Sequence, residues 1–216
     1  MDKLFNLAYK MNLWGSEESV SGPSSTLDYT ETMRKVLAGL LRALDCRTLL
    51  DAPCGDLNWI KATDLDGITY IGGDIAPSLV ADLRARHPGT DVRRIDITAP
   101  PLPSADFWLC RDVLFHLSLA DILLVLVNFI KSDITYFCTS HFLEVDDNPD
   151  VPSSPTTFRP VNLCKPPFGL PGPDYYFRDY PDWHPPRGLA VWRRSRLRAW
   201  YAEYAKSGAV AEQATL

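Results

Sequence analysis

Paired cysteines, long apolar runs, glycine-rich phosphate loops and an excess of positive charge are all missing from this 216-residue chain. Its five cysteines, Cys46, Cys54, Cys110, Cys138 and Cys164, are odd in number and contain no C-x-x-C pair. That argues against a disulfide frame or a zinc site and for reduced thiols. No stretch reaches the roughly 20 apolar residues of a membrane helix, and the start Met1-Asp2-Lys3-Leu4 lacks the basic opening and apolar run of a signal peptide. The expectation is a soluble, cytoplasmic protein with no membrane partner. Lys and Arg number 22 against 27 Asp and Glu, for a net charge of −5, so the basic footprint of a nucleic-acid binder is absent. Glycine is limited to 12 residues and never forms G-x-G-x-x-G, whose amides approach a pyrophosphate. A dinucleotide cofactor is therefore disfavoured.

What is present alternates. From residue 27 to about 140, helical and strand periods succeed one another, the pattern of βαβ units and a parallel sheet. A capping box at Ser25-Thr26-Leu27-Asp28 opens a helix over 27–44, carried by Met33, Val36, Leu37, Leu40, Leu41 and Leu44. Short apolar runs at 47–52, 68–74, 92–96, 106–110 and 134–139 read as buried strands, with helices near 57–63, 77–87 and 119–131 between them. Composition then shifts: eleven of the 18 prolines lie from Pro149 to Pro186, interleaved with aromatic residues including Phe158, Phe168, Tyr175 and Trp183. Proline denies this stretch a regular helix, while its aromatic content is too high for a disordered linker. Residues 145–186 read as an ordered insertion, either a strap over core or a lid and substrate wall. Strands over 175–180 and 189–193 follow, then a C-terminal helix carrying Leu197, Trp200, Tyr201 and Tyr204, where a homodimer contact has room; Gly208–Leu216 should fray. The chain reads as one domain, 1–216.

The most informative segment is Thr48-Leu49-Leu50-Asp51-Ala52-Pro53-Cys54-Gly55-Asp56-Leu57-Asn58-Trp59, answered by Tyr70-Ile71-Gly72-Gly73-Asp74-Ile75. An apolar strand runs into a tight acidic turn, and a second strand ends in a carboxylate about twenty residues on, as in sheets that hold a ribose. An adenosine-containing cofactor without a pyrophosphate fits. Asp74 can accept from ribose hydroxyls, or from the amides that open the next helix. Cys54 reads as a small packing residue, since nothing adjacent would hold a thiolate.

These residues resemble motif I of the class I S-adenosylmethionine-dependent methyltransferases, apolar-apolar-Asp-x-Gly-Cys-Gly-x-Gly. Asp51, Cys54 and Gly55 match; Pro53 and Leu57 replace the first and third glycines. Three further segments resemble one bacterial branch of these enzymes: Ser19–Leu27, Leu109–Leu117 and Arg159–Leu163. The resemblance implies a Rossmann-like, seven-stranded, mostly parallel sheet closed by an antiparallel hairpin, with S-adenosyl-L-methionine as cofactor. It places the turn residues Asp51, Pro53, Cys54, Gly55, Asp56, Asn58 and Trp59 against that cofactor, with Asp51 and Asp56 assisting its cationic groups. Asp96 would lie near the adenine, with Ile75 and Ile97 also against the cofactor, and Cys110 and Arg111 at the end of the fourth strand. The segment 1–26, with Trp14, Ser21, Gly22 and Thr26, would fold over the cofactor.

For chemistry, the candidates are Asp112, His116 and His141. If 112–117 is a helical turn, Asp112 and His116 share a face and the carboxylate can orient the imidazole, a base suited to a hydroxyl proton; a purely packing histidine is the alternative. His141 lies just past the fifth strand and is the second candidate. Glu144, Asp146, Asp147 and Asp150 near His141 read as solvated acids, and no metal is expected. The implied activity is methyl transfer to an oxygen or nitrogen of a small polar acceptor, a sugar, glycan or secondary metabolite. A catalytically inactive S-adenosylmethionine-binding regulatory or partner protein is the alternative.

Overall fold

The computed structural model describes residues 1–181 and 186–206; the readings made above for Trp183 and Gly208–Leu216 lie outside the described residues. Seven strands are seen among them: β1 (Thr48–Asp51), β2 (Thr69–Asp74), β3 (Asp91–Arg94), β4 (Phe107–Cys110), β5 (Tyr136–His141), β6 (Tyr175–Arg178) and β7 (Gly188–Arg193). They form one sheet in the order β3-β2-β1-β4-β5-β7-β6. The first five are parallel. β7 runs antiparallel to β5, and β6 antiparallel to β7, as the final hairpin. The sheet class and the closing pair agree with the sequence reading.

Successive strand residues point to opposite faces, so neighbours in β1 and β4 feed two different cores. Leu49, Phe107 and Leu109 pack under helices α2 (Leu27–Ala43) and α3 (Pro77–Arg86). Leu50, Trp108, Phe137 and Trp192 face α4 (Leu119–Lys131) and α5 (Arg194–Lys206). α2 starts where the capping pattern predicts, the Thr26 side chain accepting from the Tyr29 amide at 3.3 Å. α4 is apolar on most sides because it lies deep in its core, with Ile122, Val125, Leu126 and Phe129 inaccessible.

Two local readings need correction. The helix expected over 57–63 is only a 3-10 turn at Ile60–Ala62, because Leu57 adopts φ +64°, a left-handed conformation that no right-handed helix accommodates. In addition, Asp2–Lys10 forms a helix, α1, that packs on α3. Tyr9 donates to Asp82 at 2.6 Å and Asn6 accepts from the Ser78 amide at 2.8 Å, fixing α1 there.

The proline-rich excursion is ordered by side chains that replace missing backbone partners. The Asn148 amide donates to the carbonyls of Asn162 and Pro166 at 2.9 and 2.7 Å, and that of Asn162 to Val145 at 2.8 Å. Buried Arg159 donates to the Pro149 carbonyl at 2.7 Å. Val161, Leu163, Phe168 and Leu170 sink into the core beside α4 and α5; among the described residues of this insertion, Pro155–Phe158 reach the cleft described next.

Candidate functional site

At the carboxyl ends of β1, β2 and β4, where the strand order reverses, the surface opens into a cleft of about 470 Å³. Open α/β sheets bind ligands at this switch point, and the volume lies in the range of small-molecule sites, roughly 300–1,000 Å³.

Asp51 and Asp74 end adjacent strands and both line the cleft. Asp74 accepts from the amides of Ala76 at 2.9 Å and Gly55 at 3.3 Å. Burial nonetheless pushes its carboxyl up to about 6, the amides opposing. Asp51 accepts from the Tyr70 hydroxyl at 2.8 Å, and burial pushes it up to about 7 against that bond and the Arg111 charge. Two buried carboxyls raised toward neutrality are poised to ionise when a cation arrives. Gly55, at φ +55°, lies so close to the upstream loop that a Cβ would meet the Ser21 Oγ at 2.3 Å.

That loop is pinned by Asp56, whose carboxylate accepts from the Ser19 hydroxyl at 3.0 Å and the Val20 amide at 2.9 Å. Asp56 borders the cleft, but the bonds of its carboxylate go to the chain itself. Trp14, Ser21, Gly22, Pro53, Cys54, Gly55, Trp59, Ile75, Asp96, Ile97 and Arg111 also line the cleft. Three expected cofactor residues do not. Thr26 caps α2, the Asn58 amide donates to Glu18 at 2.7 Å and to the Ser25 carbonyl at 3.0 Å, and Cys110 is wholly inside the sheet. Burial raises the Cys54 thiol well above its ordinary pKa, which suits a packing role.

Beyond β4 the geometry departs from expectation. Asp112 takes φ +57°, so the chain swings away and Asp112 and His116 do not share a helical face. The Asp112 carboxylate instead accepts from Ser24 at 2.7 Å, Ser140 at 2.8 Å and Arg187 at 2.9 Å, with Arg111 at 3.2 Å. Arg111 also forks onto Asp179. Burial alone would raise Asp112, but the Arg111 and Arg187 charges hold it well below the usual carboxylate range. Asp112 is thus an ionised clamp with its lone pairs taken, and does not orient His116.

His116 is oriented by a carbonyl. Its Nδ1 lies in a short hydrogen bond to the backbone oxygen of Thr157. A carbonyl only accepts, so Nδ1 carries the proton and Nε2 presents a lone pair; no described residue bonds Nε2, and His116 lines the cleft. Burial lowers its pKa, favouring the neutral ring against the Thr157 bond and the Asp112 charge. His141 belongs elsewhere. It is 0% exposed, its Nδ1 accepts from the Leu163 amide at 3.4 Å, it stacks edge-on with Trp192, and burial lowers it to about 4. Lying within the sheet and off the cleft, it cannot reach a reacting group there.

Sequence reasoning missed Met1 at the start of α1, Phe5 and Tyr9 within it, and Phe115 and Arg187, all on the cleft. The α1 stripe was readable, since Met1, Phe5 and Tyr9 recur every four residues; Arg187 gives no local signal. Among the described residues no cluster of His, Cys, Asp or Glu could hold a metal ion, and no helix is long and apolar enough to cross a membrane.

No protein-family model and no curated protein sequence matches this chain. Solved structures do. Magnesium protoporphyrin IX methyltransferase from Synechocystis PCC 6803, with bound S-adenosylhomocysteine, matches with a TM-score of 0.58 at 11% identity, over 89% of this chain and 97% of that one. The methyltransferase domain of bacterial CtHen1 gives 0.55 at 10%, over 78% and 100%. TehB from Haemophilus influenzae gives 0.53 at 17%, over 75% of this chain and 61% of its own length. At such identities the likeness is one of architecture: the chain has the class I S-adenosylmethionine-dependent methyltransferase fold.

Proposed function

We propose that the chain binds S-adenosyl-L-methionine and transfers its methyl group to an oxygen of a small acceptor. The observation that carries this is the occurrence, in one cleft, of Asp74 at the end of β2 and of His116, whose Nε2 bonds no described residue. The residues fit the cofactor: raised, buried Asp51 and Asp74 would take its cationic and ribose ends, and the close Gly55–Ser21 approach forms a tight backbone cradle. When bound, the cofactor supplies a methyl carbon activated by a sulfonium.

The protein's own tasks are then positioning and proton removal. His116, held in one tautomer by Thr157, accepts a hydroxyl proton at Nε2. Trp14, Phe5 and Phe115 surround its ring at 6.1, 6.5 and 4.6 Å and exclude water around it. Ser24, bonded to both Arg111 and Asp112, fastens the N-terminal segment beside the cleft.

Calorimetry with S-adenosylmethionine, followed by turnover of wild type and His116→Gln, tests the proposal. Cofactor binding retained with turnover reduced roughly 10²–10⁴-fold supports it. Binding without turnover on any acceptor would favour an inactive cofactor-binding protein, and no binding overturns the proposal.

A further inference from the structure

The cleft has two unlike ends. Asp51, Asp74 and the amides around them make the β1–β2 end polar. The end beyond β4 is ringed by Phe5, Trp14, Phe115, His116 and Phe158, contributed by α1, the N-terminal loop, the turn after β4 and the proline-rich excursion. Phe158 packs edge-on against Phe115 at 5.0 Å yet remains 61% exposed, an apolar face left open at the cleft.

Polar groups on this wall are already used. The Thr157 hydroxyl donates to the Ser154 carbonyl at 2.9 Å, the Thr156 hydroxyl pairs with Ser154 at 2.9 Å, and the Trp14 indole donates to the Pro155 carbonyl at 3.3 Å. An acceptor bearing many hydroxyls would leave most of them without partners when seated here, which costs binding. Among the described residues of this wall, His116 Nε2 is a side-chain acceptor with no hydrogen-bond partner, placed to meet a single acceptor hydroxyl.

Resting on the methyltransferase reading above, we infer that the acceptor is an aromatic hydroxyl, its ring against the Trp14–Phe158 wall and its oxygen at His116 Nε2. Aromatic rings pair edge-to-face or offset with the faces available here. Acidity agrees. A phenol ionises near 10, as tyrosine does, whereas water, a guide to alkyl hydroxyls, ionises near 15.7. A neutral imidazole of lowered basicity is therefore far better matched to a phenol.

In the step, the phenolic O–H bond breaks as Nε2 takes the proton, and the oxygen's electron pair forms a bond to the methyl carbon of the methylsulfonium donor. The carbon–sulfur bond breaks with its pair going to sulfur, which becomes a neutral thioether. The products are an aryl methyl ether, S-adenosylhomocysteine and an imidazolium that returns its proton to water.

The test uses the whole chain with four probes: 4-nitrophenol, catechol, methyl α-glucoside and benzylamine. Saturation-transfer NMR on the protein with S-adenosylhomocysteine reads binding, and methyl transfer from S-adenosylmethionine reads turnover. The phenols should bind and be O-methylated; Phe158→Ala should weaken phenol binding about tenfold with cofactor affinity kept. Methylation of the glucoside or the amine without the phenols, or a folded, cofactor-loaded protein that binds neither phenol, overturns the aromatic assignment and leaves cofactor binding standing. Failure to bind S-adenosylmethionine by calorimetry overturns the underlying reading instead.

Discussion

Arg187 donates to the Asp112 carboxylate at 2.9 Å, fastening the start of β7 to the turn that follows β4. With Arg111 and Asp179 they form a quartet of two positive and two negative charges, nearly devoid of solvent. Asp112→Asn would leave two guanidinium groups facing one carboxylate. Breaking a buried pair in this way costs about 3–5 kcal/mol, and the denaturant midpoint should fall accordingly. A wild-type midpoint would mean that the quartet does not support the fold.

Asp74→Ala should remove charge-assisted hydrogen bonds to the cofactor's ribose. A loss of roughly 1.5–3 kcal/mol, about ten- to hundredfold in affinity for S-adenosylmethionine, is expected by calorimetry. Unchanged affinity in a folded variant would sink the ribose assignment.

The raised carboxyls give opposite pH trends for stability and binding. Unfolded, Asp51 and Asp74 ionise near 3.9; folded, they do so near 7 and 6. Through that window the native state holds protons that the unfolded chain has released, so their contribution to stability falls as pH rises. A cation prefers the ionised forms, so affinity for S-adenosylmethionine should climb over the same window with release of protons. S-adenosylhomocysteine, lacking the sulfonium, should show a shallower rise. Calorimetry in buffers of different ionisation enthalpy counts the protons, and equal pH slopes for the two ligands would contradict the role given to Asp51.

Gly55→Ala should act on the loop above it. At φ +55° an L side chain is strained by about 1–2 kcal/mol, and the new methyl would displace Ser21. Faster hydrogen exchange at Ser19–Ser21 and weaker cofactor binding are expected together. By contrast, Leu57→Gly relieves a left-handed leucine but deletes a side chain only 1% exposed, and should be net destabilising by more than about 1 kcal/mol.

The sheet was legible because its signals are local. Apolar runs between turn residues gave the five parallel strands to within a few residues, and Thr26 announced α2. Asp51 and Asp74 were likewise fixed by strand ends. The partnership of Asp112 was not legible, because it depends on a left-handed backbone at Asp112 and on Arg187, 75 residues away. Leu57 misled for a related reason: a residue with good helical propensity occupies a conformation usually left to glycine. Thr157 as the partner of His116 could not be read at all, since a backbone carbonyl carries no sequence signature.

That carbonyl has a further corollary. The cofactor end of the cleft is made by strand termini, where an insertion would disturb the sheet. The tautomer of His116 and the Phe158 part of the aromatic wall depend on Pro155–Phe158, a short arc of an irregular excursion held on either side by Asn148, Arg159 and Asn162. On the proposed reading, substitutions confined to that arc would change the acceptor side of the cleft and leave Asp51, Gly55 and Asp74 untouched. Acceptor scope and donor binding would thus rest, on that same reading, on separable pieces of the chain.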